Sequence, residues 1–215
     1  MIADITAAPP SQSRFPMSRA LLFDIAERTL VVLLGAWLIY RFMPTLSEHP
    51  FGHLLLLSEG LIVLLIAVRR FGHAVNTFRA WSLAIVGTVS PLLVLPAGDQ
   101  LASGTVAAAA MLTGLTISIS AKLFLRRSFG IVAANRGVER RGPYRLVRHP
   151  MYLGYLFSHA AYLLMSFSVW NLAVYTACWI AMVLRISVEE NVLREDALYQ
   201  DYAAAVRFRL IPGIW

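Results

Sequence analysis

Residues 142–152, which we call the strap, combine chemically active side chains with residues that restrict the backbone. The strap reads Gly-Pro-Tyr-Arg-Leu-Val-Arg-His-Pro-Met-Tyr and lies between long apolar stretches. Arginine is costly inside hydrocarbon, so we expect the strap at a membrane surface or beside a wet cavity. Pro143 and Pro150 disfavour helix at the residue before each, and Pro150 suits the first turn of a new helix. The free N–H groups of that turn would attract an anion.

Arg185 and Glu189 form a second polar group further along the chain. They are four residues apart, so a continuous helix places them on one face. The spacing fits a plain ion pair at the membrane edge, and it also fits two side chains that bind different groups. An arginine fork binds a carboxylate through two hydrogen bonds, whereas a glutamate suits an ammonium group. Glu190 is adjacent, but the four-residue spacing favours Glu189.

Together, the two polar groups resemble the signature of the isoprenylcysteine carboxyl methyltransferase family and its phospholipid methyltransferase relatives. In that family Arg-His-Pro-x-Tyr opens the cofactor-binding half, and an Arg four residues before a Glu follows, with tyrosines and a C-terminal Pro-Gly. The matching residues here are Arg148–Tyr152, Arg185, Glu189, Tyr199, Tyr202 and Pro212-Gly213. The resemblance extends over residues 128–215.

This resemblance implies a methyltransferase that uses S-adenosylmethionine. Arg185 would be the catalytic and substrate-binding residue that contacts the acceptor carboxylate, and Glu189 would contact the methyl donor. The strap and the loop before it would supply the other cofactor-binding residues, which are Arg136, Gly137, Val138, Glu139, Tyr144, His149, Pro150, Met151 and Tyr152. The expected partners are a lipid bilayer and a lipophilic or prenylated acceptor, with no nucleic acid and no metal.

Methylation of a carboxylate needs little acid–base help, because the nucleophile is already ionised at neutral pH. The protein must instead align the reacting atoms and exclude water. A lipid-linked acceptor would enter sideways between helices and bring only its polar head to Arg185.

The composition predicts an all-α integral membrane protein. The chain has 215 residues, of which 58% are hydrophobic and 14% charged, which is too apolar for an ordinary soluble domain. We expect one membrane domain, with N-terminal transmembrane helices in residues 1–121 and the signature region in 122–215. Apolar segments fall at residues 29–43, 52–68, 81–96, 101–121, 151–168 and 170–185. Several are shorter than the roughly 20 residues that a helix needs to cross, so we expect five or six spans.

The positions of basic residues predict the orientation of these spans. With six crossings and the N-terminus inside, 18 of the 19 lysines and arginines fall in inside segments, and only Arg41 falls outside. This asymmetry favours a multi-pass protein with both termini and the active site on the cytoplasmic side.

A mixed helix is expected after Arg185. Its apolar stripe comprises Val188, Val192, Tyr199, Tyr202 and Val206. Such a helix can lie on the membrane face and cap the cofactor pocket beneath it.

A few isolated polar groups have weaker interpretations. Glu59 lies near the end of a short apolar segment, where we expect an interfacial or hydrogen-bonded role. His49 and His53 are separated by Pro50 and Gly52, which argues against a shared metal site. Cys178 is expected to be a small buried core residue.

Several other functions remain open at this point. A phospholipid amine or a small thiol could be the acceptor, and a phospholipid amine would not need Arg185 as a carboxylate clamp. Sterol reductases, which use NADPH, have a similar Arg-His-Pro-x-Tyr segment but are usually much longer. A non-enzymatic scaffold or transporter is the last alternative, although the polar residues cluster on one face rather than across the spans.

Overall fold

The computed structural model describes residues 17–42, 60–66, 68–70, 77–95 and 98–215. These ranges form helices joined by turns, so the all-α prediction is confirmed. The helices are α1 (Met17–Phe42), α2 (described over residues 60–66), α3 (Phe78–Val89), α4 (Gly104–Leu125), α5 (Pro150–Met165), α6 (Val169–Leu193) and α7 (Ala197–Ala205). Short 3-10 turns lie at Ser90–Leu93, Arg126–Ser128 and Gly142–Arg145. The predictions for Glu59, His49 and His53 fall outside the described residues.

The ends of the helices follow the local sequence. Pro150 occupies the first turn of α5, as its fixed φ angle and missing N–H predict. The hydroxyl of Ser103 accepts a hydrogen bond from the Val106 N–H at the start of α4, and Ser168 accepts one from Asn171 at the start of α6. Each cap satisfies one N–H group that the helix itself leaves without a bond.

Two described helices are long and apolar enough to cross a bilayer. They are α4 extended through its 3-10 turn, Gly104–Ser128, and α6, Val169–Leu193. Each measures 25 residues, which exceeds the length that a span requires. The count of five or six spans stays a prediction.

Helices α4 and α5 approach each other most closely at two glycines. A Cβ atom on Gly154 would lie 2.6 Å from the Ser118 nitrogen and 2.7 Å from the Gly114 oxygen, and one on Gly114 would lie 2.6 Å from the Ser158 nitrogen. Small residues four apart on both helices let the two backbones come into contact, which is the packing that apolar surroundings favour. This contact fixes α5, and therefore the end of the strap, against α4.

The chain between α5 and α6 turns sharply at residues 166–168. Asn171 is fully buried there, and its amide donates to the carbonyls of Ser166 and Leu95, at 2.9 Å each. Its side-chain oxygen accepts from the Leu95 N–H at 2.9 Å. One amide side chain thus joins the turn to the segment after α3.

The mixed helix expected after Arg185 is not continuous. Arg185 lies within α6, which ends at Leu193, and α7 begins at Ala197. The break occurs because the Asp196 carboxylate accepts from the Leu198 N–H and so starts a new helix, while Asn135 donates to its other oxygen at 2.9 Å. Periodicity alone missed this cap.

We expect Gly154→Ala to destabilise the protein by about 1–3 kcal/mol, because its methyl group would press on backbone atoms that cannot move aside. The thermal unfolding midpoint of detergent-purified protein measures this. Gly87→Ala in α3 is the matched control, since a Cβ there meets no heavy atom within 4 Å. Equal midpoints for the two variants would contradict the close helix contact.

Candidate functional site

A cavity of about 580 Å³, including its open mouth, lies between the strap, the loop before it, the end of α6 and helix α7. Eight of the eleven residues proposed from the sequence line it: Gly137, Val138, Glu139, Tyr144, His149, Met151, Tyr152 and Glu189. The strap and α6 therefore meet at one hollow, although they are distant in the sequence.

Glu189 contacts the strap directly. The hydroxyl of Tyr152 donates to Glu189 Oε2 at 3.1 Å, across a sequence separation of 37 residues. Tyr152 is held in place because it belongs to the first turn of α5 and is 3% exposed. The carboxylate of Glu189 is consequently fixed at the cavity wall as a negative group.

Glu190 points away from the cavity into a cluster of basic side chains. It is 1% exposed, and its Oε1 lies 3.2 Å from Arg148 Nε and 3.3 Å from His149 Nε2. Its Oε2 lies 3.0 Å from Arg209 Nε and 3.3 Å from Arg194 Nη2. The two adjacent glutamates thus have different surroundings, since one faces the hollow and the other compensates buried positive charge.

The C-terminal segment also binds the strap through its backbone. The Arg148 N–H donates to the Phe208 carbonyl at 2.9 Å, and the His149 N–H donates to the Arg209 carbonyl at 2.8 Å. These bonds satisfy two N–H groups just before α5, where no helical bond is possible. The strap is therefore held from both sides, by α6 through Glu190 and by residues 208–209.

The loop before the strap is ordered by its own side chains. Glu139 accepts from the N–H groups of Arg140 and Arg141, at 3.0 and 2.9 Å, and from Arg141 Nε at 3.0 Å. The hydrogen bond from the Arg141 side chain lowers the pKa of Glu139, so this carboxylate is ionised at neutral pH. Gly137 has a φ of +102°, a conformation that favours glycine, and its N–H binds the Asn135 side chain.

Three tyrosines complete the wall of the cavity. Tyr202 donates to the Tyr144 carbonyl at 2.8 Å, which joins α7 to the 3-10 turn of the strap. Burial raises the pKa of Tyr144, Tyr199 and Tyr202, so all three are neutral hydrogen-bond donors at physiological pH. The Tyr199 hydroxyl is buried and has no hydrogen-bond partner within the described part of the chain. It is a donor for which a ligand in the cavity would provide an acceptor.

Arg185, Arg136 and Pro150 do not line the cavity. Arg185 Nη2 donates to the Ile131 carbonyl, and its guanidinium lies 5.5 Å from the centre of the Tyr152 ring. No ion pair joins Arg185 to Glu189 among the described residues. Arg136 is buried and donates to the Val132 carbonyl at 3.2 Å, while Pro150 is buried in the first turn of α5.

Sequence reasoning missed several residues of the site. The lining also includes Leu125, Ser128, Ala134, Arg148, Leu193, Tyr199 and Tyr202. Tyr199 and Tyr202 stood in the signature and shared an apolar stripe with Val206, which was a usable signal. The contacts of Glu190 depend on the path of residues 206–215, and spacing along one helix gives no information about that path.

We expect Glu190→Gln to destabilise the protein by about 3–5 kcal/mol, because it leaves buried basic groups without a compensating charge. Thermal unfolding in detergent measures the effect. Glu195→Gln is the control, since the same chemical change at an exposed position should cost less than about 0.5 kcal/mol. A Glu190→Gln variant as stable as this control would contradict the proposed importance of the cluster.

A comparison with known proteins adds evidence that is independent of this geometry. The family model of the phospholipid methyltransferases matches residues 102–200, from the start of α4 into α7. No curated protein matches the chain. Over that segment the chain is similar to a methyltransferase family that includes the isoprenylcysteine carboxyl methyltransferases. The resemblance inferred from the two polar groups is thereby confirmed, and residues 102–200 are similar to the phospholipid methyltransferases.

Proposed function

We propose that this protein is an S-adenosylmethionine-dependent membrane methyltransferase that methylates the carboxylate of an isoprenylcysteine-like or other lipophilic acceptor. The observation that carries the proposal is the bond between Tyr152 and Glu189 at the wall of the cavity. It brings the two signature groups together at one cavity.

The residues at the cavity suit this cofactor. Glu189 offers a carboxylate to the ammonium group of the amino-acid moiety, and the unsatisfied Tyr199 hydroxyl offers a hydrogen bond. Gly137, Val138 and Met151 give the apolar wall against which a flat base packs. In the proposed assignment, Arg136 and Pro150 shape the loop and the start of α5 without touching the ligand.

The bound cofactor would supply an electrophilic methyl group. Glu189 and Tyr152 orient it, and His149 is held in one position by its contact with Glu190. Tyr144, Tyr199 and Tyr202 exclude water from the site. No side chain has to remove a proton, because a carboxylate acceptor is already ionised. Alignment and exclusion of water are then the main contributions of the protein.

Arg185 is the proposed contact for the acceptor carboxylate. Its guanidinium is held by neutral carbonyl oxygens rather than by an acid, so its charge is available to an anion. Arg185 Nε is buried and has no hydrogen-bond partner among the residues described here. The guanidinium also lies over the ring of Tyr152, and the hydroxyl of Tyr152 contacts Glu189. Tyr152 therefore lies between Arg185, the proposed contact for the methyl acceptor, and Glu189, the proposed contact for the methyl donor.

We further propose that residues 1–215 form one multi-pass membrane domain with the site and both termini on the cytoplasmic side. The distribution of basic residues supports this orientation, and the two long apolar helices support insertion in a bilayer. Helix α7 would then cap the cofactor pocket at the membrane surface. The acceptor would leave its apolar tail in the bilayer and bring its head to Arg185.

A phospholipid amine is the second candidate acceptor, because the matching family model is named for phospholipid methylation. An amine needs a base to accept its proton and gains nothing from a second positive charge nearby. Arginine also binds the phosphate of a phospholipid, so the acceptor that receives the methyl group, read together with the dependence on Arg185, separates the two.

We expect Glu189→Gln to weaken the binding of S-adenosylhomocysteine about 10- to 100-fold, because it removes a charge-assisted hydrogen bond to the ammonium group. Isothermal titration calorimetry on detergent-purified protein measures this affinity. Glu195→Gln should bind like the wild type. Binding of NADPH in place of S-adenosylhomocysteine would favour the reductase, and binding of neither would favour a scaffold.

We expect Arg185→Ala to lower kcat/KM for a carboxylate acceptor about 10- to 100-fold while the affinity for S-adenosylhomocysteine changes less than twofold. Transfer of a labelled methyl group to N-acetyl-S-farnesyl-cysteine or to phosphatidylethanolamine measures it. Arg79→Ala, an exposed arginine on α3, is the control. Full turnover of the carboxylate acceptor by Arg185→Ala would rule out the clamp. Methyl transfer to phosphatidylethanolamine that Arg185→Ala does not reduce would favour phospholipid methylation.

A further inference from the structure

A buried ion pair from the N-terminal part of the chain contacts residues 130–132, the loop whose carbonyls bind Arg185. Arg69 Nη1 lies 2.7 Å from Glu27 Oε1, and both side chains are almost fully buried, at 0% and 3% exposure. Both residues precede the segment that matches the family model. A buried charge pair is costly to form, and its presence here calls for a role beyond filling space.

Glu27 holds the loop through the backbone. Its Oε1 accepts from the Ile131 N–H at 2.8 Å and from the Val132 N–H at 3.1 Å. The carbonyls on the other side of the same peptide units face Arg185, which donates to the Ile131 oxygen and lies 3.5 Å from the Gly130 oxygen. The carboxylate and the guanidinium therefore hold opposite edges of residues 130–132.

We propose that Glu27, fixed by Arg69, is a positioning residue that sets the place of Arg185 for the acceptor. The pair makes no contact with the cavity that we assign to the methyl donor. Arg185 in turn lies over Tyr152, so a shift of residues 130–132 would move the acceptor contact relative to Tyr152 and Glu189. This inference rests on the proposed function, because it concerns how the acceptor is bound.

The test is a double-mutant cycle between Glu27 and Arg185, with N-acetyl-S-farnesyl-cysteine as the probe and S-adenosylhomocysteine present. Glu27→Gln keeps the size of the side chain and removes the charge that faces Arg69 Nη1, while Arg69 Nη2 still pairs with Asp24. We expect Glu27→Gln to lower the affinity for the probe about tenfold, as measured by calorimetry. In the Arg185→Ala background, the same change should alter the affinity for the probe less than about twofold. Affinity for S-adenosylhomocysteine should stay within about twofold throughout.

A purely structural role for Glu27 gives different results. In that case Glu27→Gln would lower the affinity for S-adenosylhomocysteine as much as the affinity for the probe. Alternatively, Glu27→Gln would lower the affinity for the probe by the same factor with and without Arg185→Ala. Either result overturns the inference. Asp99→Asn is the control, because it also converts a carboxylate to an amide but at an exposed position. This variant should bind S-adenosylhomocysteine and the probe like the wild type.

Two further outcomes separate this inference from the proposed function. If the wild type binds S-adenosylhomocysteine but not the probe, the assignment of Arg185 and the role of Glu27 both fail, while the donor site stands. If it binds neither, the proposed function fails and this inference fails with it.

Should Glu27→Gln not fold, Arg69→Lys keeps the charge but loses the planar fork. We then expect a roughly threefold loss of probe affinity that is absent in the Arg185→Ala background.

Discussion

The buried carboxylate of Glu190 is the interaction on which the candidate site depends. It compensates basic side chains from three separate segments: the strap, the end of α6 and the C-terminal residues. Without that charge, the buried guanidinium of Arg148 would lie near that of Arg209 with no acid between them. Because Glu190 is adjacent to Glu189 on α6, the interaction that closes this part of the fold also places Glu189 at the cavity.

Burial of so many charges has a physical explanation in the chain's composition. A mostly apolar sequence gives its few polar groups little water to face, so they pair with one another or with backbone atoms. Glu27 and Arg69 repeat this arrangement at residues 130–132, and Glu139 with Arg141 repeats it near the surface. Each pair holds a segment that has no helix or strand of its own.

The sequence predicted the helical class and the start of α5 through local rules, and it predicted eight of the cavity-lining residues through the resemblance to a methyltransferase family. The fixed φ angle of Pro150 suits the first turn of a helix, and the strap's residues are neighbours in the chain. The contacts of Glu190 with Arg148, His149 and Arg209, and those of Glu27 with the loop, were not predictable, because they join residues 19 to 105 positions apart through the packing of helices. Glu189 lines the cavity and Glu190 does not, but the four-residue spacing to Arg185 is not the physical reason, since no ion pair joins Glu189 to Arg185 among the described residues.

Helix α5 carries the site because its two faces pack in opposite ways. One face meets α4 backbone to backbone at Gly114 and Gly154, which leaves no room for sliding. The other face stacks aromatic rings against α6, with His159 and Tyr175 only 4.4 Å apart between ring centres. A shift of α5 would break one packing or the other, so its first turn is rigid. Tyr152 therefore meets Glu189 at a position set deep in the helices, and any ligand in the cavity must fit that position.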